Sequence, residues 1–352
     1  MVAKMKRVGR YEIIGELGRG AMGVVYRAQD PVIGRPLAIK TIRLGEFSDP
    51  QEADRLRERL FREARSAGIL SHPNIVTIYD MGEDGDIAFI AMEFVSGHTL
   101  EQALKRDGTI DRKLLLSVLA ETASGLDYAH GRGIVHRDIK PGNIMIDETK
   151  KTKIADFGIA KILSQNATQT QMVLGTPTYM SPEQIESKPL DGRVDQYSMA
   201  VIAYEMLTGE RPFSAESLPA LLFKIVREQA SAPHLLNALL DESVSGVFSR
   251  AMAKNRDERF PNCTEFINAL TEALVASPEW MPFARGSSGN MPTVAIRPPE
   301  EESTGFAKAD TADTLTPVPV AAEPPVAPQA RIEEVEPILA PPPPPPPSTA
   351  GK

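Results

Sequence analysis

The chain has 352 residues, 42% of them hydrophobic, which is enough for one large folded body or two ordinary ones. The formal net charge is -8, and most of it lies in the last 75 residues, so the near-neutral remainder gives no sign of a nucleic-acid surface and the acidic tail would repel one. A single cysteine, Cys263, excludes an internal disulfide, fits a reducing compartment and is expected as a small core residue; there is no signal peptide and no apolar run of about 18 residues, so no membrane segment is expected.

In chain order, residues 11–95 are mostly strand. Tyr11 to Leu17 and Val24 to Ala28 are rich in β-formers and flank a glycine turn. Leu37 to Ile42 alternates poorly but is short and apolar, as a buried strand would be. Ile75 to Tyr79 and Ile87 to Phe94 are expected as two further strands, with Asp84-Gly85 between them as a hairpin signal. One helix interrupts this region. Ser48-Asp49 can cap it, Pro50 suits its first turn, and Ala53, Leu56, Leu60, Ala64 and Ala67 form one face. From Thr99 the apolar period becomes 3.6. Leu114 to His130 is a long helix, two short strands (Ile144 to Ile146, Thr152 to Ala155) surround a turn at Asp147-Glu148, and helices follow at Val194 to Leu207, Pro219 to Glu228, Ser243 to Ala253 and Thr264 to Val275. The expected fold class is α+β: a small β-rich lobe over 11–95, a larger helical lobe over 96–276 and a cleft between them. Residues 1–10 are expected as an N-terminal extension. Residues 277–352 hold 18 of the 30 Pro and are expected as a disordered tail, with polyproline II character at Pro341 to Pro347.

Three stretches carry chemistry. Gly18-Arg19-Gly20-Ala21-Met22-Gly23 lets the backbone approach phosphates and aim N–H groups at them. Strand residues Val24-Val25-Tyr26 follow, which disfavours a dinucleotide fold, where such glycines open a helix; a purely structural turn stays open. Ala38-Ile39-Lys40 places an ammonium in an apolar strand, costly without anionic partners. ATP phosphates and the carboxylate of Glu63 would supply them; the competing reading is a strand-end Lys reaching water. The most specific stretch is His136-Arg137-Asp138-Ile139-Lys140-Pro141-Gly142-Asn143, with Asp156-Phe157-Gly158 beginning thirteen residues after the Asn. Asp138 can orient a hydroxyl and finally accept its proton. Lys140 can neutralise charge on a transferred phosphoryl group. Asn143 and Asp156 offer the oxygen donors that suit a hard Mg2+ ion. The five histidines show no metal-ligand spacing, and His98, His130 and His234 read as isolated.

On these motifs the chain resembles the protein kinases, and most of all the eukaryotic-like Ser/Thr kinases of bacteria, from about Tyr11 to Val275. Lys140, two residues after Asp138, and Gly175-Thr176-Pro177-Thr178-Tyr179-Met180-Ser181-Pro182-Glu183 are similar to the Ser/Thr form. The resemblance implies ATP-dependent transfer to Ser/Thr hydroxyls of protein substrates, with ATP and Mg2+ required. It implies that Lys40 and Glu63 hold phosphates, that Asn143 and Asp156 hold metal, and that Thr176 helps orient Asp138 and Lys140. It implies a nucleotide pocket of Leu17, Gly18, Gly20, Gly23, Val25, Ala38 and Lys40 above and Met145 below, with Met92 as gatekeeper and Glu93 to Val95 as a hinge bonding adenine. It further implies that Glu183 pairs with Arg259, that Asp195 braces the catalytic-loop backbone and that His136 is structural. Ser181 stands where the family more usually has Ala. Thr168 and Thr170 resemble a regulatory phosphorylation doublet, with Arg137 as the phosphate's partner and a kinase dimer for phosphorylation in trans. A silent kinase-fold scaffold predicts loss of Lys40, Asp138, Asn143 or Asp156, and a small-molecule kinase predicts loss of the Gly175 to Glu183 segment; none is lost.

The tail threonines Thr293, Thr304, Thr311, Thr314 and Thr316 sit in acidic or Pro-containing context that a phosphothreonine-binding partner could read, a plain linker being the competing reading. The expected location is cytoplasmic, with membrane tethering only if the chain continues into a transmembrane helix.

Overall fold

A computed structural model of the chain describes residues 6–20, 23–44, 50–157 and 177–286. Six antiparallel strands make the small lobe: β1 (Arg7–Val8), β2 (Tyr11–Gly20), β3 (Gly23–Gln29), β4 (Pro36–Arg43), β5 (Ile78–Asp84) and β6 (Ile87–Glu93), ordered β1-β2-β3-β4-β6-β5. Helix α1 (Pro50–Gly68) lies between β4 and β5 in the chain, and its Leu56, Leu60, Ala64 and Ala67 are buried as the periodicity predicts. The poor alternation of β4 has a simple cause. Leu37 and Ile39 pack into one cluster with Val8, Tyr11 and Phe89, while Ala38 and Ile42 pack into another with Leu56, Leu60 and Ile90. A strand covered on both faces has no reason to alternate. The β5–β6 turn is Gly85-Asp86, since Asp84 pairs with Ile87, and Gly85 takes a φ of 62°.

Two expectations for this lobe need correction. Residues 7–8 are not merely an extension: Val8 pairs with Tyr11 and is 1% exposed, so β1 edges the sheet and contributes to its core. Ile75 to Tyr79 is not one strand. Ile75 makes only an isolated bridge to Ile154 and packs into the large-lobe core, and β5 starts at Ile78. The apolar run is real, but its burial is a junction between lobes.

The large lobe contains β7 (Gly97–Thr99), α2 (Leu100–Asp107), α3 (Arg112–His130), β8 (Ile144–Asp147), β9 (Thr152–Ile154), the short α4 (Pro182–Ile185), α5 (Arg193–Thr208), α6 (Leu218–Arg227), the short α7 (Pro233–Leu236), α8 (Glu242–Ala251) and α9 (Cys263–Val275). Strands β7, β8 and β9 form a small sheet; β7 is too short to show a period. Helix α5 is buried on every side from Val194 to Thr208, which is what an all-round apolar helix requires. It is the axis around which α3, α8 and α9 pack. Cys263 is a fully buried free thiol in that core, as expected.

The large lobe does not stop at residue 276. Trp280 is 1% exposed and belongs to the main core, and residues 277–286 lie against the helices. Composition averaged over a Pro-rich stretch hides the apolar area of one tryptophan, which is large enough to anchor a segment by itself. Residues 287–352, with the tail threonines and the proline run, lie outside the described residues.

Candidate active site

The catalytic-loop residues converge around one carboxylate. Lys140 Nζ donates to Asp138 Oδ2 at 2.7 Å, and Asn143 Nδ2 donates to the same oxygen at 3.1 Å and to the Asp138 carbonyl at 2.8 Å. With its amide nitrogen so engaged, Asn143 presents its side-chain oxygen elsewhere. The Ala155 N–H donates to the Asn143 carbonyl at 2.9 Å, which brings Asp156 beside the loop. Lys40 Nζ, from β4 in the other lobe, lies 2.8 Å from Asp156 Oδ1. Thus three motifs spread over more than a hundred residues form one connected cluster. Burial alone would raise the Asp156 pKa, but the Lys40 ammonium outweighs it and holds the carboxyl below its usual range. An ionised carboxylate and an amide oxygen are hard donors, so this pair fits a divalent cation such as Mg2+.

Backbone strain marks the same place. Arg137 and Asp156 have φ values of 69° and 65°, left-handed for residues with side chains. Each costs about 1–3 kcal/mol and persists only where its surroundings hold it. The holders are visible for Arg137. Asp195, fully buried at the start of α5, accepts from the N–H of His136 at 2.8 Å and of Arg137 at 2.7 Å. Gln184 Nε2, on α4, donates to the Arg137 carbonyl at 2.8 Å. His136 is fully buried; its Nδ1 accepts from the Asp138 N–H, and its Nε2 reaches the Ala155 carbonyl at 2.9 Å. The tautomer with the proton on Nε2 satisfies both bonds.

The chain's spacing gives no hint of His130. Its Nε2 lies 2.7 Å from Asp195 Oδ2, and its Nδ1 lies 3.8 Å from Asp127 Oδ1. Gly192 makes room for the ring: a Cβ there would meet His130 Nδ1 at 2.5 Å. Burial alone would lower the His130 pKa, but Asp127 and Asp195 raise it to about 9. Asp127, one turn earlier on the same helix, is a common i,i+3 spacing that says nothing by itself, and the closer carboxylate lies in α5, 65 residues away, so the sequence leaves His130 isolated. Asp127, His130 and Cys263 offer ligand atoms within 4.8 Å of one another. Both Asp127 oxygens, however, accept from the α9 N-terminus at Cys263 and Thr264, and burial pushes the Cys263 thiol up. The group is built as a structural clasp for a charged imidazole.

That clasp gives a pH prediction. The folded pKa of about 9 exceeds the ordinary His value near 6.5, so the native state binds the proton more tightly. The resulting stability is complete below about pH 6.5 and is lost as pH rises through 9, an effect on the order of 3 kcal/mol. Denaturant unfolding at pH 6.5 and 9.5 should show that loss in the native chain and a much smaller one in His130→Gln.

The nucleotide-pocket candidates also gather. Ala38, Met92 and Val95 are buried in one apolar cluster, with Val25, Met145 and Ala155 packed against it. Met92 and Asp156 flank a small cavity of about 20 Å3 lined by Ile75, Ile90, Ile154 and Phe157. The Glu93 N–H donates to the Thr77 carbonyl at 2.8 Å, and its carboxylate pairs with Lys153 at 2.9 Å, so neither is free for a ligand. The Val95 N–H has no hydrogen-bond partner among the described residues. Leu17 is half-exposed above. The three glycines differ. At Gly23 a Cβ would run into the Thr41 carbonyl, so sheet packing alone explains it, whereas Gly18 and Gly20 face open space. Glu63 is half-buried on α1, on the side of Leu60 and Ala64. Thr168, Thr170 and Thr176 lie outside the described residues. The pair expected in the large lobe is present: Arg259 Nη1 and Nη2 donate to Glu183 Oε1 and Oε2 at 2.7 and 2.8 Å.

A curled antiparallel sheet over a helical lobe, with a Lys–Asp pair joining the two beside an Asp–Lys–Asn loop, is the architecture of a protein kinase. The family model described as Protein kinase domain matches residues 11–274, and the chain belongs to that family. It is similar to a probable serine/threonine-protein kinase PknB of Bifidobacterium longum, 40% identical over 270 residues, covering 73% of this chain and 39% of the relative. The serine/threonine-protein kinase PknB of Mycolicibacterium smegmatis is 39% identical over 263 residues, covering 73% and 41%. PrkC of Bacillus subtilis, a serine/threonine-protein kinase, is 39% identical over 257 residues, covering 72% and 39%. The chain therefore spans about two fifths of the length of these curated relatives.

Proposed function

We propose that this chain is an ATP- and Mg2+-dependent protein serine/threonine kinase of bacterial signalling, acting in the cytoplasm. The observation that carries the reading is the connected set Lys40–Asp156 at 2.8 Å and Asp138–Lys140 at 2.7 Å, joined through Asn143. No helix among the described residues is long and apolar enough to cross a membrane.

In this reading Lys40, kept in register by Glu63, holds the α/β-phosphates. The N–H groups near Gly18 and Gly20 approach the phosphates through the open space above β2. Leu17, Val25 and Ala38 cover the adenine, Met145 supports it from below, and Met92 closes the rear. The Val95 N–H and the Glu93 carbonyl are the hinge groups for its edge, since the Glu93 N–H is already taken. Asn143 and Asp156 would hold the Mg2+ ion, which when bound offsets phosphate charge. The acceptor hydroxyl oxygen bonds to the γ-phosphorus as the bond to the β-phosphate's bridging oxygen breaks. Its proton passes to Asp138, and ADP leaves. Lys140, with Thr176 beside it, stabilises charge on the moving phosphoryl oxygens.

Protein partners with Ser/Thr hydroxyls follow from this chemistry. Phosphorylation of Thr168 or Thr170 in trans by a second copy is part of the same reading, as is a phosphothreonine-binding module on the tail. Arg137 supports the first of these: its Nε is buried and has no hydrogen-bond partner among the described residues. A phosphate would supply one.

The test is incubation with terminally labelled ATP, Mg2+ and a Ser/Thr peptide, followed by phosphosite mapping. Label is expected on the peptide hydroxyl and on Thr168 or Thr170. Release of label only as inorganic phosphate would exclude a protein kinase.

A further inference from the structure

The family match ends at residue 274 and α9 at Val275, yet residues 277–286 are tied to the large lobe at five places. The Asp241 N–H donates to Ser277 Oγ at 2.7 Å. Arg112 donates to the Pro278 carbonyl at 2.6 Å, and its guanidinium lies 4.6 Å from the centre of the buried Trp280 ring. Asn237, fully buried, donates through Nδ2 to the Leu207 carbonyl at 2.8 Å and the Met281 carbonyl at 2.9 Å. The Gly286 N–H donates to the Gly209 carbonyl at 3.0 Å, just past the end of α5.

This path delivers Arg285 to a buried carboxylate. Arg285 Nε lies 3.0 Å from Glu205 Oε1, and Glu205 is 3% exposed on α5. The other oxygen, Oε2, accepts from Tyr179 Oη at 2.7 Å. Burial and the Glu205 charge push the Tyr179 phenol up, so it stays a donor. Tyr179 is also held through its carbonyl, which accepts from Ser198 Oγ at 2.7 Å. Two residues later Ser181 begins α4, whose Gln184 grips the Arg137 carbonyl next to Asp138. A chain of contacts thus runs from residue 285 to the catalytic loop.

The physics favours a specific part for Arg285. A carboxylate this buried needs positive charge close to it. Arg211 is the other cation: its Nε donates to the same oxygen at 3.4 Å but it is more exposed, whereas the Arg285 Nε stands closer, at 3.0 Å, as an ion-pair contact without a hydrogen bond. Without Arg285, Glu205 keeps only the more exposed Arg211 as a cation; it turns toward that side and toward water, which loosens its bond to Tyr179.

We propose that residues 277–286 form a strap that completes the kinase body, and that Arg285 is a positioning residue. Acting through Glu205, it fixes Tyr179 and the segment that seats the acceptor peptide. The kinetic part of this proposal rests on the kinase reading above.

The experiment uses the full chain as Arg285→Ala, Arg285→Lys, Tyr179→Phe and the Ala/Phe double variant. Readouts are peptide KM, ATP KM, kcat, thermal midpoint and backbone hydrogen exchange over residues 177–184. Arg285→Ala should raise peptide KM about tenfold at unchanged ATP KM and speed exchange at 177–184. Arg285→Lys should recover most of the loss, and in the Tyr179→Phe background Arg285→Ala should add little. The proposal is overturned if Arg285→Ala lowers only the thermal midpoint, raises turnover as removal of an occluding strap would, or adds fully to Tyr179→Phe. Should the unsubstituted chain transfer no phosphate, the kinase reading fails, while unchanged exchange at 177–184 in Arg285→Ala still overturns the strap by itself.

Discussion

Asp138→Asn is expected to lower kcat about a thousandfold while leaving the ATP KM within about twofold. The substitution keeps the side chain's size and its place between Lys140 and Asn143. It removes the carboxylate proposed to take the acceptor proton. It also turns an accepting oxygen into an amide that must set either its oxygen or its N–H2 toward Lys140 Nζ, now 2.7 Å from Asp138 Oδ2. In the proposed reading nucleotide affinity depends on other groups: Lys40, which pairs with Asp156, and the apolar cluster around Met92. Because Asp138 is partly exposed, folding stability should change by less than about 1 kcal/mol. Steady-state kinetics with a denaturant curve on the same sample therefore separate lost chemistry from lost fold. A drop of less than tenfold would mean that another group takes the proton, and Asp138 would lose its assigned role.

How much of this was legible before the fold was known depends on distance along the chain. Asp138, Lys140 and Asn143 lie within six residues, and their chemistry reads directly. Lys40 is legible because an ammonium in the apolar Leu37 to Ile42 run needs an explanation, and Asp156 Oδ1 provides one. The glycines are only half legible. One pattern contains Gly23, fixed by the Thr41 carbonyl, together with Gly18 and Gly20, which the protein does not crowd. The Glu183–Arg259 pair, 76 residues apart, was reachable only by resemblance. His130 was not reachable from spacing, because its i,i+3 neighbour Asp127 is an ordinary helix pairing and the carboxylate that grips it most closely, Asp195, comes from α5. The strap failed for a different reason. Prolines and acids dominate the average of the tail, whereas its one large buried side chain, among the described residues, is Trp280, and no windowed composition preserves that. Local motifs thus identify the chemistry. The groups that hold those motifs still are set by tertiary contacts.

The holding groups carry the largest expected stability effect. Arg259 and Glu183 side chains are 0% and 5% exposed, and their fork-to-fork contact satisfies both carboxylate oxygens. Arg259 also donates through Nε to the Ala253 carbonyl at 2.8 Å and through Nη1 to the Arg193 carbonyl at 3.2 Å, with its guanidinium 4.8 Å from the Tyr197 ring centre. Arg259→Met leaves Glu183 as a buried charge without a partner, and such a loss costs about 3–5 kcal/mol. For a body of this size that should lower the thermal midpoint by about 10 °C. Arg259→Lys should cost nearly as much, since an ammonium cannot span both oxygens and both carbonyls. The double variant Glu183→Gln with Arg259→Met should be more stable than Arg259→Met alone, because the stranded charge is gone. It should not regain activity. Glu183 lies on α4 one residue before Gln184, whose bond to the Arg137 carbonyl steadies the catalytic loop, so neutral packing restores the fold without restoring the register of that loop. Equal midpoints for the single and double variants would show that the pair's stabilisation comes from packing area and not from charge.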